Sequence, residues 1–189
     1  KDSWGEQVVI SIAAGIGTDS LAEWLGPQVK LVRAMPNTPA MIQMGATGLY
    51  ATAGVSEAEQ QLAQQVMSAA GLVLWVDDED LLHAVTAISG SAPAYFFYML
   101  ENMIATGEKL GLTQTQATAL AMQTALGSAQ MALTSHDTPA ELRRKVTSPN
   151  GTTQAAIEVM DAKKMHQIIA DAMLACEQRS RELSQAFGK

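Results

Sequence analysis

Apolar positions fall in short unbroken runs at the start of the chain and at helical spacing after it. Val8–Ala14 (Val-Val-Ile-Ser-Ile-Ala-Ala) is a continuous apolar run closed by Gly15, the pattern of a buried parallel strand. A short helix over Ser20–Leu25 follows, then strands near Lys30–Ala34, Gly48–Ala51 and Leu72–Val76, with a helix over Ser56–Ala70 between the last two. Alternating strand and helix predict an α/β layer. From Asp80 to Phe187 the period is helical, with breaks at Gly90–Pro93, Gly111–Thr113, Ser135–Pro139 and Ser148–Gly151. The fold class is α/β, then all-α, with a boundary near residue 77: one piece at 1–77, a helical one at 78–189.

Two of these helices are apolar nearly all round. Ala94–Leu110 opens Tyr-Phe-Phe-Tyr-Met-Leu from Tyr95, and Ala117–Leu133 is rich in Ala, Leu and Met. Such helices need cover on every side. A helical piece of this size has too little interior for both, so burial against a second subunit is expected.

Composition narrows the classes. The 189 residues are 48% hydrophobic and 16% charged, as in a globular protein. A formal charge of −7 argues against nucleic acid or an anionic membrane as the main partner. Cys176 is the single cysteine, which excludes an internal disulfide and suits a reducing cytosol, so a cytoplasmic location is expected. No run approaches the roughly 20 apolar residues that span a bilayer. The chain opens Lys-Asp-Ser-Trp-Gly without an initiating methionine or signal peptide, and it is expected to be a piece of a longer protein.

Thr147-Ser-Pro-Asn-Gly-Thr-Thr153 is the most informative segment. Ser148, Asn150, Gly151, Thr152 and Thr153 turn the chain and start a helix that Gln154–Met160 can continue. Free backbone N–H groups, the positive helix end and small hydroxyls would suit a carboxylate or phosphate. A plain helix cap explains the run almost as well.

Other motifs have bland readings beside sharp ones. Gly15-Ile-Gly17-Thr-Asp-Ser20 imitates half a dinucleotide fingerprint, but Ser20 stands at the third position and no acidic residue ends the next strand. Met35-Pro-Asn-Thr-Pro39 offers the Asn37 amide at a strand end, or is simply a rigid loop. Asp77-Asp-Glu-Asp80 is a helix start rather than a metal site. Thr86, Ser89 and Ser91 surround Gly90 at a helix junction, for close packing or for binding a ligand. His83, His136 and His166 lack the spacing of a catalytic or metal set, and Cys176 serves as a small apolar residue.

Taken in order, three segments resemble pyrroline-5-carboxylate reductase: Val32–Pro39 (Val-Arg-Ala-Met-Pro-Asn-Thr-Pro), Asp80–Tyr95 and Pro139–Thr153, with Arg179–Leu183 extending the match. The resemblance implies reduction of 1-pyrroline-5-carboxylate to L-proline, the last step of proline synthesis. It also implies the C-terminal part of a Rossmann-like NAD(P)-binding domain followed by an all-helical dimerisation domain, a homodimer and possibly a ring of dimers. The cofactor would be NADPH, or NADH, and no metal is needed. The family's glycine-rich phosphate loop precedes everything present here, so this piece alone is expected to bind cofactor poorly and be inactive.

By the same resemblance, Thr86 is the hydroxyl nearest the imine nitrogen, as donor or proton relay. Ser148, Asn150, Gly151, Thr152 and Thr153 would hold the substrate carboxylate. Asn37 would face the nicotinamide ribose, Ala13 and Ala14 would line the cofactor crevice, and Glu79 is a weaker cofactor-side candidate. The family usually has Gly at Asn150 and often at Ala92; Asn tolerates a left-handed backbone, so the loop shape is expected to survive. Two alternatives remain. A β-hydroxyacid dehydrogenase would need a Lys with an Asn one turn later, whereas Lys109 is followed by Thr113. A non-catalytic helical dimerisation module is the other.

Overall fold

The computed structural model describes residues 7–187. Residues 1–6 and 188–189, the outer ends of the two expected pieces, lie outside it. The chain forms two compact units: one runs to Pro93 and is rejoined by the chain from Asp171, and the other is Ala94–Ala170.

The first unit is built on a four-stranded sheet in sequence order: β1 (Val8–Ser11), β2 (Lys30–Met35), β3 (Gly45–Ala51) and β4 (Gly71–Trp75). β1 pairs parallel with β2, and β3 pairs parallel with β4. β3 runs antiparallel to β2, setting Met35 opposite Gly48. Only a 3-10 turn, Thr38–Ile42, fits between β2 and β3, and a parallel return would need a crossover of a dozen or more residues. The apolar run at Val8–Ala14 leaves the sheet early. Ser11 Oγ accepts from the Ala13 N–H at 3.3 Å, and Gly15 turns the chain at φ 75°.

Helices α1 (Thr18–Leu25) and α2 (Glu57–Ser68) flank the sheet, and α2 begins with a reciprocal cap between Ser56 and Glu59. The core gathers Val32, Ala34, Leu49, Val55 and Ala63, with Val73 and Trp75 packed against it. On the opposite face, α3 (Leu81–Val85) lies directly on β3. A Cβ at Gly48 would come within 2.7 Å of Val85 Cγ1, so only glycine admits that approach.

The expected break near Gly90 is not a break. α3 continues as one π-helical turn, Thr86–Gly90, in which the Ser91 N–H donates to Thr86 O at 2.8 Å, before α4 (Ala92–Lys109) begins. The remaining helices are α5 (Gln114–Thr134), α6 (Pro139–Lys145), α7 (Thr152–Ala162) and α8 (Met165–Phe187). α5 and α6 start with capping boxes, Thr113 with Gln116 and Thr138 with Glu141. Sequence spacing missed one interruption. Lys164 adopts φ 56° between α7 and α8, at a position where no Gly or Asn marks the left-handed turn.

In the second unit the two apolar helices are open. Phe96, Phe97 and Tyr98 on α4, and Leu120, Leu126 and Leu133 on α5, are all more than half exposed.

Candidate functional site

The sequence candidates fall in both units. Ala13, Ala14, Asn37, Glu79 and Thr86 belong to the first, and Ser148–Thr153 to the second.

Thr86 is half-buried at the start of the π turn, a local widening often found at functional sites. Its hydroxyl donates to Leu82 O at 2.8 Å, leaving the oxygen lone pairs free to accept. Ser89 Oγ donates to Val85 O at 2.9 Å in the same way.

Asn37 is not a free amide. Its Nδ2 donates to Ser89 O at 3.1 Å, and its Oδ1 accepts the Ala46 N–H at 2.9 Å. The side chain ties the π turn to the start of β3.

Glu79 is likewise engaged. Oε1 accepts the Thr18 N–H and Arg33 Nη1, both at 2.7 Å, and Oε2 accepts the Thr18 hydroxyl. α1 has Gly17 at its N-cap and no local side-chain cap, so Glu79 supplies one from 61 residues away. The carboxylate thus occupies the position a phosphate would take in a dinucleotide fingerprint. Arg33, only 5% exposed, was passed over in the sequence; a cation inside the apolar β2 was the signal that it needed a buried partner.

Ala13 and Ala14 lie just beyond the carboxyl end of β1, half-buried and exposed respectively.

The acidic run is consumed within the fold. Asp78 Oδ1 accepts the Asp80 N–H at 2.9 Å, and Asp80 pairs with Arg181, which also binds Glu177. The Arg181 hydrogen bond holds the Asp80 carboxyl below its usual range. His83 Nδ1 lies 2.8 Å from Ser180 Oγ. Burial pushes the His83 pKa down, helped by the Arg181 charge. Among the described residues no group of three His, Cys, Asp or Glu is arranged to hold a metal. Cys176 Sγ donates to Ser91 Oγ at 3.2 Å.

In the second unit, Asn150 takes the left-handed conformation at φ 58°, as expected for an Asn in place of Gly. The Gly151 N–H closes the turn onto Ser148 O at 3.1 Å, and a Cβ at Gly151 would come within 3.0 Å of that oxygen. Gly151 is the N-cap of α7 and no side chain caps it, so the first N–H groups of α7 have no acceptor from a cap. The cations that precede the loop in sequence, in the last turn of α6, are partly spent: Lys145 pairs with Asp137 at 2.5 Å.

Comparison with known proteins accounts for both units. Residues 79–183 match the family model for pyrroline-5-carboxylate reductase dimerisation. The chain is 54% identical, over 97% of its own length, to a pyrroline-5-carboxylate reductase of Pseudomonas aeruginosa, and covers 67% of that relative. A solved pyrroline-5-carboxylate reductase structure from Coxiella burnetii superposes with a TM-score of 0.93 at 43% identity, over 97% of this chain and 68% of the other. A Plasmodium falciparum pyrroline carboxylate reductase solved with NADP bound gives 0.90 at 26% identity, over 96% and 71%. The chain therefore spans about two thirds of the length of these relatives. The open apolar helices lie within the matched dimerisation segment, and this chain belongs to the pyrroline-5-carboxylate reductase family.

Proposed function

We propose that the protein containing this chain reduces 1-pyrroline-5-carboxylate to L-proline with NADPH or NADH. The observation that carries the reading is the 54% identity to a pyrroline-5-carboxylate reductase across 97% of the chain. The substrate is a cyclic imine bearing a carboxylate; its C=N double bond becomes a C–N single bond as the carbon gains a hydride and the nitrogen a proton. When bound, the reduced nicotinamide supplies the hydride.

The chain's own residues bind, orient and move the proton. Ala13 and Ala14 line the crevice at the end of β1 that takes the cofactor. Asn37 and Glu79, assigned to the cofactor side by resemblance, act there by shaping the backbone, since their polar atoms are already engaged. Thr86 Oγ1 turns from Leu82 O to the imine nitrogen and passes a proton on from water. Ser148, Asn150, Gly151, Thr152 and Thr153 hold the carboxylate, with the uncapped α7 amides as donors. The working form is a homo-oligomer built on the dimerisation segment, extended in the larger assembly to a ring of dimers. Among the described residues no helix is long and apolar enough to cross a membrane.

The test is steady-state kinetics of the full-length protein. Thr86→Ala is expected to lower kcat by about 100-fold or more, as for loss of a proton donor. Thr153→Val is expected to raise KM for the imino acid with kcat less affected. Wild-type turnover in Thr86→Ala would remove Thr86 from the chemistry.

A further inference from the structure

We propose that Leu183 and Phe187, at the end of α8, are positioning residues for cofactor binding: they press on Gly15 and hold the Ala13–Ala14 backbone in the shape that receives the nicotinamide cofactor. The proposal rests on the reading above that Ala13 and Ala14 line the cofactor crevice.

The course of α8 across the first unit gives the reason. Cys176 Sγ donates to Ser91 Oγ at 3.2 Å, Ser180 Oγ lies 2.8 Å from His83 Nδ1, and Arg181 pairs with Asp80. As α8 advances, its partners move backwards through the chain, so α8 runs antiparallel to α3 and the π turn. Its last turn passes the start of α3 and reaches the first βα turn. A Cβ at Gly15 would come within 3.3 Å of Phe187 Cδ2 and 3.5 Å of Leu183 Cβ. Leu183 and Phe187 are four residues apart on one helix face, so both bear on the same point. From Cys176 to Phe187 the helix extends about 16 Å, with the turn that carries Thr86 at one end and the crevice at the other.

Gly15 needs that support. It is buried and takes φ 75°, and glycine loses more backbone freedom on ordering than any other residue. The hydrogen bond from the Ala13 N–H to Ser11 Oγ is local and long, at 3.3 Å. Glu79 fixes the far end of the loop through the Thr18 N–H. α8 supplies the packing between these two points.

Phe187 is 56% exposed, so its ring adds little to the stability of the whole unit. Without the ring Gly15 visits other conformations, and fewer molecules hold the crevice formed. Apparent affinity for the cofactor falls by the same fraction. The imino acid is spared, because its carboxylate is assigned to Ser148–Thr153 in the other unit.

The test is calorimetric binding of NADPH, with NADH in parallel, to the full-length protein without substrate, beside steady-state kinetics. Phe187→Ala is expected to raise the cofactor Kd and KM about fivefold, with the KM for the imino acid and the thermal midpoint unchanged. Phe187→Tyr, which keeps the ring, is expected to bind as wild type does. Equal cofactor Kd in Phe187→Ala and wild type overturns the proposal and leaves the proposed reaction standing. So does a Phe187→Ala protein with a lowered thermal midpoint and both substrates bound more weakly, which marks a structural role alone. A wild type that binds neither NADPH nor NADH overturns the proposal and the proposed reaction together.

Discussion

Glu79 caps the helix that begins at Thr18, accepting its N–H at 2.7 Å while neutralising the buried Arg33. One carboxylate thereby satisfies a helix start and an interior cation. It also ties the beginning of the helical region to the first βα turn, so the change of sequence pattern near residue 77 does not coincide with the division of packing at Pro93.

Removing that carboxylate should cost more than a surface ion pair. Arg33 is 5% exposed and would be left charged without its partner. Glu79→Ala is therefore expected to destabilise the fold by about 3 kcal/mol, at the low end for a broken buried pair because Glu79 itself is a quarter exposed. Urea unfolding of the full-length protein measures it, and a loss below about 0.5 kcal/mol would mean that water replaces the bond.

Asn37 ties Ser89 O to the Ala46 N–H, and so supports the π turn that carries Thr86. Asn37→Ala should cost about 1–3 kcal/mol for the unpaired groups left behind. Asn37→Asp should be worse at neutral pH than at pH 4, because a carboxylate oxygen would then face the Ser89 carbonyl. Equal thermal stability of Asn37→Asp at the two values, each measured relative to wild type, would show that Asn37 does not bridge these groups in solution.

His83 gives a pH dependence of definite sign. Burial lowers its folded-state pKa, so below the ordinary histidine value the unfolded chain binds the proton more readily. Stability is then fully present above the unfolded pKa and falls as pH drops from about 6.5 towards the lowered folded value. His83→Gln should flatten this part of the thermal stability profile between about pH 7 and 5. A profile as steep as wild type would assign the slope to other groups.

Much of the architecture was legible locally. The strand-like runs placed all four strands to within a few residues, and the breaks at Gly111–Thr113 and Ser135–Pro139 lie where α5 and α6 begin. Asn150 reads as a left-handed position from its residue type and takes one. The unbroken apolar character of the α4 and α5 segments pointed to a subunit interface, because that demand follows from composition alone.

Tertiary contacts decided the rest. The antiparallel turn at β3, the partner of Arg33, the use of both ends of the Asn37 amide and the seat of α8 on Gly15 each depend on residues far apart in sequence. Hydrophobic period reports how one segment meets its immediate surroundings; which distant backbone or charge completes a polar group is settled only when the chain closes on itself. That is why Glu79 read as one acid in a run of four, and folds as the cap of a helix 61 residues earlier.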